Sequence, residues 1–183
     1  MTTANFLIRN AIPSDAKYLN RYLRSIFAES RHLVTKPEEF KMTPFQQRVW
    51  IKRKAANTHE ICIVALHGKS ILGVLESATD RRARTRHVTT FSMSVHPDHR
   101  GKGIGQELLN TYTGWVSEHN QLSKVELHVH SDNAIAIHLY EKAGFVIEGR
   151  RKDAIKYKNE RFVDDILMAY WPNSSNVEIN MEQ

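Results

Sequence analysis

The sequence predicts an α/β domain in which a mixed sheet carries both hairpins and crossovers. Three observations carry that prediction. Short runs of alternating or continuous apolar residues recur along the chain and read as strands. Longer runs with apolar residues three or four apart read as helices lying between them. Glycine-centred turns link some strands directly, while helices link others, so the sheet mixes antiparallel and parallel neighbours.

In chain order, 5–12 is a first strand, stopped by Pro13. Ser14 and Asp15 offer helix-start chemistry, and Tyr18, Leu19, Tyr22, Leu23, Ile26 and Phe27 then repeat at helical spacing. After a loop at 31–41, Thr43 is placed to cap a second helix, with Pro44 in its first turn and Phe45, Val49 and Ile51 as its apolar positions. Strands at 60–66 and 70–78 join through His67-Gly68-Lys69. An arginine-rich loop leads to a strand at 87–95, where Thr89, Phe91, Met93 and Val95 alternate. Ile104, Leu108, Leu109, Tyr112, Trp115 and Val116 mark a third helix, 124–130 a strand, and 133–143 a short helix closed by Gly144. Strands at 145–149 and 161–171 complete the order βααβββαβαββ. The expected organisation is one domain over 1–171 and a polar tail over 172–183.

A chain of 183 residues, 41% apolar and 25% charged, fits one ordinary globular core. No apolar run approaches the roughly 20 residues of a membrane span, and residues 1–5 show no targeting pattern. With a single cysteine, Cys62, no internal disulfide forms, so the expected setting is the reducing cytoplasm. Cys62 reads either as a nucleophile or as a small strand residue in the run Ile61 to Leu66. The net charge of +6 gathers in Arg81-Arg82-Ala83-Arg84-Thr85-Arg86 and Arg150-Arg151-Lys152. Such stretches suit nucleic acid, a polyphosphate ligand or plain solvent; no nucleic-acid-binding signature accompanies them.

The segment richest in chemistry is Val95-His96-Pro97-Asp98-His99-Arg100-Gly101-Lys102-Gly103-Ile104-Gly105, between a strand and a helix. Three glycines at alternate positions let backbone amides approach a ligand. The helix that follows adds its free N–H groups and the positive end of its dipole, so the turn suits phosphate oxygens. The spacing is neither that of a dinucleotide fingerprint nor of a Walker A loop.

Arg100-Gly101-Lys102-Gly103-Ile104-Gly105, with the preceding Val95-His96-Pro97, resembles the R/Q-x-x-G-x-G/A motif of the GNAT N-acetyltransferases. Asn133-Ala134-Ile135-Ala136-Ile137-His138-Leu139-Tyr140-Glu141-Lys142-Ala143-Gly144-Phe145 resembles the N-x-x-A-x-x-L-Y-x-x-x-G-F segment of the same superfamily. The two motifs stand in the right order, with a helix and a strand between them, and the resemblance covers 86–146.

The resemblance implies a mostly antiparallel sheet whose two central parallel strands, 87–95 and 124–130, splay apart to hold acetyl-CoA, with no metal. The pantetheine arm would lie along Met93, Ser94 and Val95. The pyrophosphate would lie on the amides of Gly101, Lys102, Gly103, Ile104, Gly105 and Gln106, with Arg100 adding charge. Asn133 would touch the cofactor or cap its own helix, or both. An amine would attack the thioester directly, a backbone N–H near Met93 or Val95 polarising the carbonyl. Tyr140 would protonate the leaving sulfur, a role open to a phenol with pKa near 10. Its alternative is a packing residue.

For the base, some N-terminal protein acetyltransferases of the superfamily carry glutamate five residues before the position of Asn133. This chain has His128 there, whose ordinary pKa near 6.5 suits proton removal. Glu76, His87 and water are further candidates, and His128 is also readable as a structural strand histidine. His128 and His130 alternate as metal ligands do, but two ligands fall short of the usual three or four. Helices one and two and the final hairpin form the acceptor mouth in the superfamily. There Glu160, Asp164 and Asp165 would either attract a cationic amine such as a polyamine or face water. The acceptor is thus a small-molecule amine, a polyamine or a peptide amine, and a homodimer is compatible. A non-catalytic acyl-CoA-binding module and a basic nucleic-acid-binding protein are the other classes; turnover separates the first from an enzyme, and salt-dependent nucleic-acid binding marks the second.

Overall fold

The computed structural model describes residues 6–158 and 160–172. The expected tail over 172–183 lies, apart from Pro172, outside the described residues. Seven strands form one sheet: β1 (Leu7–Asn10), β2 (Cys62–His67), β3 (Ser70–Thr79), β4 (Val88–Val95), β5 (Lys124–His130), β6 (Val146–Lys156) and β7 (Phe162–Tyr170). Their spatial order is β1-β2-β3-β4-β5-β7-β6. Every pairing is antiparallel except that of β4 with β5. The expected mixed sheet is therefore present.

Two helices cover one face, α1 (Ala16–Glu29) and α2 (Pro44–Ala55), and two the other, α3 (Ile104–Ser117) and α4 (Ala134–Lys142). Under α1 and α2, Leu19, Tyr22, Ile26 and Ile51 pack on Cys62, Val64, Leu66 and Val74. Under α3 and α4, Leu108, Tyr112, Tyr140 and Phe145 pack on Ile63, Leu75, Phe91, Leu127 and Met168. Alternation along each strand sends successive residues to the two cores.

Local chemistry explains the helix starts. Asp15 accepts from the N–H of Ile12 at 2.9 Å and is gripped by Arg9 at 2.6 and 2.8 Å, which fixes the turn from β1 into α1. Thr43 caps α2 by accepting from Gln46 N–H at 3.2 Å, while the Gln46 side chain accepts from Thr43 N–H at 2.8 Å.

Three expectations change. On α2, Phe45 and Val49 are exposed, and the inward face is Gln47, Ile51 and Lys54. Lys54 is tolerated inside because Glu60 and Glu76 meet its ammonium at 3.1 and 2.9 Å and the Ser77 carbonyl accepts from it. β6 runs seven residues beyond the expected 149, through a charged stretch. An edge strand open on both faces tolerates charge, and two irregularities in its pairing with β7 absorb the extra length. β1, expected over 5–12, spans only Leu7–Asn10.

Candidate active site

β4 and β5 pair over only three positions, Val88 with Lys124, Thr89 with Val125 and Thr90 with Glu126. Beyond them β4 stays bound to β3 as far as Val95, and β5 stays bound to β7 as far as His130. The two strands are thus held from their outer sides and part at Phe91 and Leu127. Phe91–Val95 forms one wall of the resulting cleft, and its backbone groups facing β5 lack a strand partner.

The glycine turn closes the end of that cleft. Gly101 and Gly103 have φ of 71° and 81°, the left-handed region that glycine adopts without strain, and a Cβ at either would meet no atom within 4 Å. Gly103 caps α3 without a side chain. The amide N–H groups of Gly101 through Gln106 donate to no group among the described residues. Six consecutive amides at a helix N-terminus, three of them on glycines, fit the phosphates of coenzyme A. Gly105 has a different role: its Cα side faces Leu139, Val95 and Met93, where a Cβ would stand at 3.4–3.9 Å, so it seats α3 against β4 and α4. The Arg100 guanidinium donates to the Val95 carbonyl at 3.1 Å and the Lys102 ammonium to the Asp98 carbonyl at 2.8 Å. Both charges therefore brace the turn.

The two sides of the cleft differ in chemistry. On the α3/α4 side, Tyr140 is 7% exposed, its ring 5.8 Å from Phe91 and 5.9 Å from Phe145. Burial pushes its hydroxyl up to about 12, and that hydroxyl makes no hydrogen bond among the described residues. On the α1/α2 side, Ser94 meets the Tyr22 hydroxyl at 3.0 Å. His128 and His130 share that face of β5. His128 is half exposed, and its Nδ1 lies 2.7 Å from a carboxylate oxygen of the buried Asp165, which Arg151 also contacts at 3.2 Å. His130 is buried, its Nδ1 2.9 Å from the Tyr157 hydroxyl, which donates to Asp132 at 2.8 Å. Asn133 caps α4 by accepting from Ala136 N–H at 3.4 Å.

The chain's residues 22–145 match the model of the acetyltransferase (GNAT) family. The chain belongs to the GNAT family. It is 31% identical to an L-amino acid N-acetyltransferase, AaaT, of Escherichia coli over 66% of this chain and 74% of that protein. It is 36% identical to spermidine N(1)-acetyltransferase of Vibrio cholerae, but over only 40% of this chain and 42% of that one. A crystal structure of a GNAT acetyltransferase from Streptococcus pneumoniae superposes with a TM-score of 0.88 at 27% identity, over 91% of this chain and 99% of the other.

Of the other residues read as base candidates, Glu76 lies on β3 and His87 just before β4. Glu76 is held by Lys54 and accepts from Ser92 at 3.1 Å. His87 precedes β4, roughly 26 Å of extended strand from the glycine turn. At the same end of β4, Asp80 accepts from Arg82 and Thr85 in the arginine-rich loop, beside a cavity of about 670 Å³ lined by Arg53, His59, Arg81 and Arg86. In the final hairpin Asp164 pairs with Arg150, Asp165 with Arg151 and Glu160 with Lys156. Sequence reasoning gave no site role to Tyr22, Asp132 or Tyr157, and it gave Asp165 no link to His128. No group of three or more candidate metal ligands is gathered among the described residues.

Proposed function

We propose that this GNAT protein transfers the acetyl group of acetyl-CoA directly to a primary amine of a small molecule. The observation that carries the reading is the run of six free amides, Gly101 to Gln106, at the mouth of the cleft where β4 leaves β5. Bound there, acetyl-CoA supplies the acetyl thioester, with Met93, Ser94 and Val95 beside its pantetheine arm. Asn133 stands at the start of α4 on the opposite wall and serves the cofactor from its capping position.

Asp165 holds Nδ1 of His128 as an N–H donor, which leaves the Nε2 lone pair towards solvent and substrate. Nε2 takes a proton from the amine, whose nitrogen then bonds to the thioester carbon. A backbone N–H of the Phe91–Val95 wall receives the charge on the carbonyl oxygen. As the carbon–sulfur bond breaks, the Tyr140 hydroxyl would give its proton to the sulfur, and the second proton lost by the attacking nitrogen would return, relayed by water, to the Tyr140 oxygen. The products are an amide, free coenzyme A and one proton, released from His128. Cys62 takes no part: it is 5% exposed, and burial pushes its thiol up to about 12, which leaves almost no thiolate. Reduced Cys62 is in keeping with a cytoplasmic setting.

The test is release of free thiol from acetyl-CoA in the presence of amines, with the acetylated product identified by mass. Turnover with Cys62→Ala equal to that of the unaltered protein is expected. A stable acetyl group on Cys62 that later passes to an amine would overturn direct transfer.

A further inference from the structure

The arginine-rich loop that joins β3 to β4 lies at the opposite end of β4 from the glycine turn, and acetyl transfer leaves it without a role. It borders a cavity of about 670 Å³, walled on its other sides by the end of α2 and the segment 56–60 that leads to β2. That volume falls within the roughly 300–1,000 Å³ of small-molecule sites, well beyond what a lone inorganic anion fills.

The charges on the cavity walls do not cancel. The Glu60 carboxylate is held by Lys54 at 3.1 Å. Asp80 organises the loop itself: it accepts from the N–H of Arg82 at 3.1 Å, from the Arg82 guanidinium at 2.9 Å and from the Thr85 hydroxyl at 2.9 Å. Both acids of the cavity are thus matched. Arg53 of α2 and Arg81 and Arg86 of the loop line the same cavity, and none of their guanidinia forms an ion pair or a hydrogen bond among the described residues. Three unmatched guanidinia round one concavity repel one another, and the concave shape focuses their field on whatever enters. Each guanidinium fork matches phosphate oxygens two at a time. His59 supplies a wall of another kind. Its Nδ1 meets the Thr58 hydroxyl at 3.1 Å and its Nε2 the side-chain oxygen of Gln121, and its ring lies 5.1 Å from that of His119. With both nitrogens engaged, what His59 offers a ligand is a fixed aromatic ring.

We propose that this cavity is a second ligand site, separate from that of acetyl-CoA, and that it takes a small organic polyphosphate of nucleotide size. The phosphates lie on Arg53, Arg81 and Arg86, and the organic part lies against the His59 ring in the remaining volume. A polyphosphate supplies the several negative charges that three guanidinia need. A bounded cavity suits one nucleotide, whereas a nucleic-acid strand follows a groove along the surface. The site is distinct from the cleft: about 23 Å of extended strand separates Val88, beside the loop, from Val95, beside the glycine turn.

Calorimetric titration of the full chain, already saturated with coenzyme A, tests the site with ATP and GTP as probes. One further equivalent of nucleotide is expected to bind. Arg53→Gln, Arg81→Gln and Arg86→Gln should each weaken that binding by about tenfold and leave coenzyme A affinity within about twofold. Arg84→Gln, on the same loop but not on the cavity wall, should leave nucleotide affinity within about twofold. It removes the same charge, so it separates a built site from general attraction. All four arginines are exposed, and the variants should keep the Tm of the unaltered protein. Inorganic tripolyphosphate, with no base or sugar, should bind more weakly than either nucleotide. The proposal is overturned if neither nucleotide binds at millimolar concentration, if they compete with coenzyme A, or if Arg84→Gln costs as much affinity as the three lining variants. Tripolyphosphate binding as tightly as the nucleotides would remove the organic part. Affinity for single-stranded oligonucleotides that rises with their length and exceeds that for either nucleotide would mark a nucleic-acid surface instead. None of these results bears on acetyl transfer, which thiol release tests separately.

Discussion

Tyr140 is held by rings rather than by hydrogen bonds, which is how an acid should be held if its hydroxyl must be free to give up a proton. With its pKa pushed up to about 12 by burial, the hydroxyl stays protonated through pH 10. The acid is lost only as pH rises towards 12, so kcat should show no alkaline decline between pH 7 and 10 after correction for thioester hydrolysis. Tyr140→Phe keeps the contacts with Phe91 and Phe145 and removes only the proton. It should lower kcat and kcat/KM together, by about tenfold to a hundredfold, since the thiolate is a tolerable leaving group. Coenzyme A affinity should hold; a large loss of it would mean that the hydroxyl serves binding. At this scale a motif within one segment placed Asn133 and Tyr140 at the start and near the end of α4, and the glycines in the turn before α3. The sequence was silent about partners brought together by register. Asp165 meets His128 only because β7 pairs with β5, 37 residues apart, and Tyr157 reaches His130 and Asp132 from just past the end of the extended β6.

At the scale of elements, α2 is the instructive case. Phe45 and Val49 look like its inner face by hydrophobicity, yet the helix turns Gln47, Ile51 and Lys54 inward. What decides is charge elsewhere in the chain: Glu60, just before β2, and Glu76, on β3, lie where a buried cation can reach both. No window of local sequence contains that information. Removing the cation leaves two carboxylates facing each other with little water, so Lys54→Ala should destabilise the fold by about 3 kcal/mol. The loss should be smaller for Lys54→Arg. Equal Tm for Lys54→Ala and the unaltered protein would show that the triad is neutral to stability. β3 carries the complementary constraint. A Cβ at Gly73 would stand 3.0 and 3.1 Å from Leu108 and Ile104 of α3 and 3.1 Å from the Ser94 carbonyl, so that glycine sets how closely α3 approaches the sheet.

The whole molecule is two half-sheets, β1-β2-β3-β4 and β5-β7-β6, joined at a seam of three paired residues. Local periodicity predicted the strands but not that β7 inserts between β5 and β6, and the parting of β4 from β5 was visible only through family resemblance. That architecture makes the donor a structural partner. Coenzyme A bound in the cleft would satisfy amides 101–106 and the open backbone of Phe91–Val95 while bridging both halves, which the unfolded chain cannot do. Mass action then predicts stabilisation by about 2.7 kcal/mol at a hundredfold excess over Kd, or roughly 5–10 °C in Tm for a chain of this size. Pantetheine, lacking the pyrophosphate, should do much less; equal stabilisation by pantetheine would remove the phosphates from the glycine turn. Gly103→Glu provides the second arm. It forces a side chain into φ of 81° and aims a negative charge at the cradle, while a Cβ there meets nothing within 4 Å. The variant should fold with a modest loss of about 1 kcal/mol from backbone strain. It should then gain no stability from coenzyme A at any concentration that saturates the unaltered protein. A folded Gly103→Glu that still gains the full shift would place the cofactor phosphates elsewhere.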